Sequence, residues 1–247
     1  MIEKFLDPYE LKARIAPGLI VLLPLLATAI YAAPILSSWS IFAAGSVCTL
    51  ALLYGLSFLV RARGKAIERD LWEAWGGAPS TRFMRFRDST FGADLKLSIQ
   101  AALAREFSAR LVNPADEAKN PGRADNAIID AFRHVRQYLR QHDPGGLWFK
   151  QDIEYGFCRN LLACRAIWLS IAACSAIFSL FCAAGSGGKF LNPASAIGGL
   201  SIVCSLYMGW LVLPGATKRT AEAYAESAWM AFLQVAQAEK RARPSGI

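Results

Sequence analysis

The sequence predicts an all-α, polytopic membrane protein with four transmembrane helices in two hairpins and a helical cytoplasmic domain inserted between them. Three observations carry this expectation. Four apolar runs, Ile15–Leu36, Ile41–Val60, Ala163–Ala184 and Ala196–Leu213, approach or exceed the roughly 20 residues a helix needs to cross a bilayer. No charged residue lies between Ile15 and Val60, whereas a soluble core helix would be amphipathic. The chain is 54% hydrophobic yet 19% charged, and the charge falls almost wholly outside the four runs. The 247 residues leave room for one membrane unit and one modest soluble domain.

The expected order is a cytoplasmic segment (1–14), hairpin 1 (15–60), a helical cytoplasmic domain (61–160), hairpin 2 (161–214) and a C-terminal helix (215–247). The first run is too long for a signal-peptide core and lacks a small-residue cleavage site, so it is expected to be retained. Pro17, Pro24 and Pro34 make a broken first span conceivable. Lys and Arg set the orientation. Lys4, Lys12 and Arg14 precede the first run, Arg61, Arg63 and Lys65 follow the second, Arg159 precedes the third, and Lys218 and Arg219 follow the fourth. The opposite loops, Ser37–Ser40 and Gly185–Ser195, contain only Lys189. The positive-inside rule then places both termini and the central domain in the cytoplasm. Net charge +8 is explained by this topology and by anionic headgroups before any nucleic acid is invoked.

In the central region, Ile67, Leu71 and Trp75 continue the second helix until Gly76-Gly77-Ala78-Pro79 ends it. Ala93–Leu111 carries the stripe Leu95, Ile99, Leu103 and Phe107, so it reads as an amphipathic helix. Asn113-Pro114 reads as an N-cap and first-turn proline. A further helix spans about Arg123–His142 and ends at Asp143-Pro144-Gly145-Gly146. From Leu147 a juxtamembrane helix is expected to run on into the third span. In the last helix, Tyr224, Ala228, Ala231, Val235 and Ala238 form a stripe beside Trp229, Phe232 and Leu233. It suits packing on the central domain or on a neighbouring subunit.

Six cysteines form no CxxC pair, and two lone histidines do not fit zinc-finger spacing, so no metal or cofactor is expected. The cysteines read as small apolar packing residues in a reducing compartment. The four runs contain no Asp, Glu, His or Lys and only Arg165, which disfavours a coupled transporter. Ser201, Ser205 and Gly209 lie on one face of the fourth run, and Ser170, Cys174 and Ser179 on the third. These suit helix packing or, in a homo-oligomer, a weakly polar pore lined by Ser201, Ser205 and Gly209.

Two further stretches are candidates for contact with a ligand or the membrane. In Thr81–Asp88, Arg82, Arg85 and Arg87 interleave with Phe83 and Phe86. They could grip a phosphorylated ligand such as a nucleotide or oligonucleotide, rest on headgroups, or bury Phe while Arg pairs with Asp88 and other acids. Tyr155, Gly156, Phe157 and Arg159, with Arg165, read as a membrane-interface anchor or gate. Arg136 and His142 fit a loose helical-ribonuclease spacing, which would make a membrane-tethered nuclease. No triad, P-loop or paired-carboxylate motif is present, and no enzyme is expected.

Trp75–Arg82 and Asp152–Leu162, the latter with Glu154-Tyr155-Gly156-Phe157-Cys158-Arg159-Asn160, resemble segments of poorly characterised bacterial multi-span inner-membrane proteins. The overall plan is similar to that of small membrane effectors of anti-phage defence. The segment resemblance brings no activity with it; the likeness in plan implies a homo-oligomeric pore or membrane-disrupting effector in a bacterial inner membrane, gated by the cytoplasmic domain. A non-conducting, membrane-anchored scaffold that recruits a soluble partner is the alternative.

Overall fold

The computed structural model of the protein describes residues 9–32, 39–185 and 193–242, with the side chains of 30–32, 39–53, 182, 183, 185 and 194 also outside the description. Among the described residues every element is helical. A π-helical turn, Glu10–Ile15, leads into α1 (Ala16–Ala32). Then come α2 (Trp39–Ala74), α3 (Pro79–Arg82), α4 (Ala93–Phe107), α5 (Pro114–Lys119), α6 (Pro121–His142), α7 (Leu147–Ala163), α8 (Arg165–Gly185) and α9 (Pro193–Leu206). A second π-helical segment, Tyr207–Val212, joins α9 to α10 (Leu213–Ala242). Pro34, Ser37, Ser38 and Lys189 lie outside the described residues.

The chain divides into two compact units, Met1–Arg69 with Ile153–Thr217 and Asp70–Asp152 with Lys218–Ile247. The polar unit thus starts at Asp70 and ends its first stretch at Asp152, inside the sequence boundaries 61 and 160, and takes in the C-terminal helix.

In the first unit α1, α8 and α9 pack on one another. Two helices, Glu10–Ala29 and Ser195–Ala242, are long and apolar enough to cross a membrane, and the bent pair α7–α8 makes a third if it forms one span. The second run lies within α2, but the side chains of residues 39–53 are outside the description. Pro17 and Pro24 do not break the first helix. The π-helical turn precedes Pro17, and the Thr28 hydroxyl donates to the Pro24 carbonyl at 2.9 Å. The expected straight passage from Leu147 into the third span does not occur. The chain bends by 56° between Ala163 and Arg165, where the Cys164 N–H closes a tight turn on the Leu161 carbonyl at 3.1 Å. The α8–α9 seam is made by small residues, since a Cβ on Gly198 would come 3.0 Å from Ala176. Where lipid surrounds the helices, close approach of this kind drives association in place of the hydrophobic effect. The outward side chains are large and apolar, among them Ile177, Phe181, Leu200, Val203 and Leu211.

The second unit has an aromatic core. Phe83, Met84 and Phe91 meet Ile99 and Leu103 of α4, Phe132, Val135 and Leu139 of α6, Trp148, and Trp229 and Phe232 of α10. Burying each such side chain contributes about 1.5–3 kcal/mol. The two buried indoles are satisfied: Trp148 donates to the Asp143 carbonyl at 2.8 Å and Trp229 to the Ser80 carbonyl at 2.9 Å. The buried stripe of α10 centres on Ala225, Trp229, Phe232 and Ala236, while Ala238 of the expected stripe is exposed.

The helix ends follow local chemistry. Gly76 and Gly77 adopt φ of +78° and +124°, which a glycine pair tolerates, and Pro79 then opens α3. Asn113 caps α5 by accepting from the Asp116 N–H at 2.8 Å, and Asn120 caps α6 by accepting from Arg123 at 3.0 Å. Helix α4 stops at Phe107, short of Leu111, because Ser108 takes a left-handed conformation.

Candidate functional site

The first unit holds a buried polar junction where α7 meets α2 and the π-helical turn. Arg159 is only 7% exposed, and its Nη1 donates to Glu68 Oε1 at 2.5 Å. The Tyr155 hydroxyl donates to the same oxygen at 3.1 Å, and the Arg159 guanidinium lies 5.2 Å from the Tyr155 ring centre. Arg159 Nε has no hydrogen-bond partner among the described residues. One turn of α7 therefore delivers a cation and a hydroxyl to a single carboxylate 87 and 91 residues earlier in the chain.

Asn160 completes the junction. Its Nδ2 donates to the Ala13 carbonyl at 2.7 Å. In an α-helix that carbonyl would accept from residue 17, but residue 17 is proline and has no N–H. A side chain from another helix thus satisfies a carbonyl that the sequence leaves without its α-helical donor. Two glycines permit the approach. A Cβ on Gly64 would overlap the Asn160 side chain, and one on Gly156 would stand 3.1 Å from Ala13 Cβ and 3.4 Å from the Tyr9 hydroxyl.

Of the predicted anchor residues, Tyr155, Gly156 and Arg159 are therefore buried in this junction, and Phe157 is half-buried. Arg165 is elsewhere in the unit. Its Nη1 donates to the Gly209 carbonyl at 3.3 Å, and its guanidinium lies 4.9 Å from the centre of the Trp210 ring. Gly209 makes room for it, since a Cβ there would come 2.9 Å from Arg165 Cβ.

The face expected to line a pore is buried inside the chain. Ser201 and Ser205 are 6% and 0% exposed, and Gly198 and Gly209, which bracket them on that face, lie against α8. The Ser205 hydroxyl donates to the Ile202 carbonyl at 2.9 Å. Small residues allow this approach, so the face is spent on helix packing. A different weakly polar face is open. Ser170 and Cys174 are exposed and, with Thr28, Ser175, Leu25 and Phe178, line a cavity of about 570 Å³ between α1 and α8.

In the second unit the basic-aromatic stretch is folded inward. Arg82 donates to Glu222 at 2.6 Å and lies 3.3 Å from Asp88. Arg85 makes two 2.8 Å bonds to Asp125 and a third to the Gly76 carbonyl. Phe83 is 3% exposed, Phe86 is half-buried, and Arg87 faces solvent. The loop is wrapped on Lys96, which is 2% exposed and donates to the carbonyls of Arg85 and Asp88. Glu117 supports it by accepting from the Phe86 N–H at 2.9 Å. Burial alone would raise the Asp88 carboxyl, but hydrogen bonds from Thr90 and the charges of Arg82 and Lys96 hold it below its ordinary value. Burial lowers the Lys96 ammonium, which Asp88 and Glu117 only partly offset. Of the three arginines, only Arg87 is left to meet a ligand from solution. The alternative in which Phe is buried while Arg pairs with acids describes the other two.

Arg136 and His142 are not brought together. Six residues along a helix turn about 240°. His142 Nδ1 lies 2.8 Å from the Tyr138 carbonyl and Nε2 lies 3.3 Å from Glu239, while the Arg136 guanidinium lies 5.9 Å from the Phe132 ring centre.

The sequence reading missed Glu68 and Asn160. The one available signal was Pro17 four residues after Ala13, which announces a carbonyl in need of a donor. No family model matches the chain, and neither a curated protein nor a solved structure is similar to it.

Proposed function

We propose that this chain is a membrane-anchored scaffold: four spans with both termini and the polar unit in the cytoplasm, holding a helical module that recruits a soluble partner. The observation that carries the reading is the internal use of the polar groups in the spans. Ser201, Ser205 and Gly209 pack inside the chain, and Arg165 is engaged by Gly209 and Trp210. Among the described residues of the apolar runs no charged side chain is left free for selecting ions, and the outward residues suit lipid. The charge asymmetry of the loops supports the orientation.

The test is ion flux through full-length protein reconstituted in liposomes, with insertion verified. Absence of flux across a panel of nucleotides and short oligonucleotides is the expected result. Flux abolished by Ser170→Trp or Cys174→Trp would sink the scaffold reading.

A homo-oligomeric pore or membrane-disrupting effector, of the kind found in anti-phage defence, is the second reading. Its support is the open face of Ser170 and Cys174 beside Thr28, which assembly of several copies could turn toward an axis. Ser170→Trp then blocks conduction while leaving the α8–α9 seam intact.

A further inference from the structure

Both ring nitrogens of His142 face an oxygen that can only accept. Nδ1 lies 2.8 Å from the Tyr138 carbonyl, one turn back on α6, and Nε2 lies 3.3 Å from Glu239 Oε1 on α10. The ring is stacked on Tyr138, with centroids 4.1 Å apart and planes 26° apart. Tyr138 is itself held, buried and edge-on to Phe107 and Phe232. A neutral imidazole has one N–H and one lone pair. Whichever nitrogen keeps the proton, the neutral ring therefore points a lone pair at an oxygen. The imidazolium satisfies both oxygens at once. The last turn of α6 favours a cation as well, because its final carbonyls lack helical donors.

Other charges on the neighbouring elements are turned elsewhere. Arg105 of α4 pairs with Glu106 and donates to the Ala236 carbonyl at 2.9 Å. Arg140 of α6 stands near enough to the Tyr224 hydroxyl to act on it electrostatically. The Asp143 carboxylate occupies the space a Cβ on Gly146 would take, at the start of α7. Lys240 and Arg241, which follow Glu239 on α10, are exposed. Among the described residues, Glu239 is the carboxylate that meets the ring.

The place of the contact in α10 gives it a consequence. Trp229 and Phe232 seat the middle of the helix against Phe132 and Tyr138. Beyond the buried Ala236, residues 237 to 242 are exposed except for the half-buried Glu239. We infer that His142 and Glu239 form a pH-sensitive clasp, which holds the last turn of α10 on α6 when the imidazole is protonated and releases it when the imidazole is neutral. This regulation goes beyond the scaffold reading. It lies wholly in the second unit, so it holds whether or not the first unit crosses a membrane.

The clasp is closed at lower pH and is lost as pH rises through the range in which histidine gives up its charge, about pH 5 to 8. It also weakens where Glu239 itself becomes protonated, in the carboxylate range below that window. The two side chains are 36% and 30% exposed, so the effect is small, up to about fivefold in the opening of the turn.

The test is millisecond amide hydrogen exchange of residues 237–242 in full-length protein in detergent, at about pH 5.5 and about pH 8. Variants are compared at the same pH, so intrinsic exchange rates cancel. Glu239→Gln should exchange up to about fivefold faster than wild type at the lower pH and no faster at the higher one. His142→Gln should lose the same pH dependence, and His142→Gln/Glu239→Gln should be no faster than His142→Gln alone. His134→Gln should keep the wild-type behaviour. A difference between wild type and Glu239→Gln that is equal at both pH values would mean a neutral contact and overturn the clasp, as would no difference at either. Loss of the pH dependence in His134→Gln would assign the titration to the other histidine, with the same result. Equal acceleration of the amides of Ala131–Leu139 would mean loosening of the whole unit rather than release of a turn, and would also overturn it.

Discussion

The two units are both helical, yet they are held by different means. In the first, helices approach through Gly198, Ser201, Ser205 and Gly209, and large apolar side chains face outward. In the second, large side chains such as Trp229, Phe232 and Trp148 face inward and the exterior is charged. Lipid around the first unit would give this inversion. Water drives large apolar groups together, whereas lipid is already apolar and rewards only close packing and internal hydrogen bonds. Their ion pairs differ less. In enclosure the pairs are alike, with Arg159 and Glu68 8% and 20% exposed and Arg85 and Asp125 11% and 24%; they differ in that Glu68 also accepts from the Tyr155 hydroxyl. The lesson is that identical secondary structure says little about which substitutions matter.

Four experiments sharpen or break this contrast, all on full-length protein in detergent or nanodiscs. The largest effect is expected from Arg159→Leu, which strands Glu68 inside the junction and should cost about 3–5 kcal/mol in denaturant unfolding. Glu68→Leu/Arg159→Leu should recover most of that loss. If the double variant is no better than the single one, the pair is not the buried unit described. Phe232→Ala should cost a similar or slightly smaller amount, about 3–5 kcal/mol, followed by tryptophan fluorescence because Trp229 shares its core.

Gly198→Leu comes next, at about 1–3 kcal/mol from overpacking against Ala176. A neutral result would mean that the α8–α9 seam is not close-packed. The smallest effect is a pH dependence of the second unit. Asp88 has its folded-state pKa below the ordinary 3.8, so its contribution is fully present above that value. It is lost as pH falls through the lower folded value. Asp88→Asn should therefore flatten the acid limb of the stability profile by lowering its neutral plateau, with the two proteins converging at low pH.

Legibility in the sequence tracked the range of the interaction. The all-α class, the apolar runs, the Gly76–Pro79 stop and the Asn113 cap are local and could be read directly. The bend at Cys164 was not legible, because neither proline nor glycine marks it. Glu68 and Arg159 gave no sign of pairing, since nothing local ties residues 91 positions apart. Ser201 and Ser205 were legible as a small-residue face, but the sequence could not say whether α8 or another copy would fill it. Lys96 was missed for a geometrical reason. It lies one turn before Ile99 and Leu103 on the buried side of α4, where a charged residue between apolar ones reads as solvent-facing.

That enclosed amine has a practical use. An acylating reagent reaches Lys96 only when the loop from Thr81 to Phe91 lifts from it, since the native side chain is 2% exposed. Its labelling rate, set against that of an exposed lysine such as Lys119 in the same molecule, is a clock for that opening. Any partner that grips the loop should slow the clock, so the protein carries its own reporter of engagement.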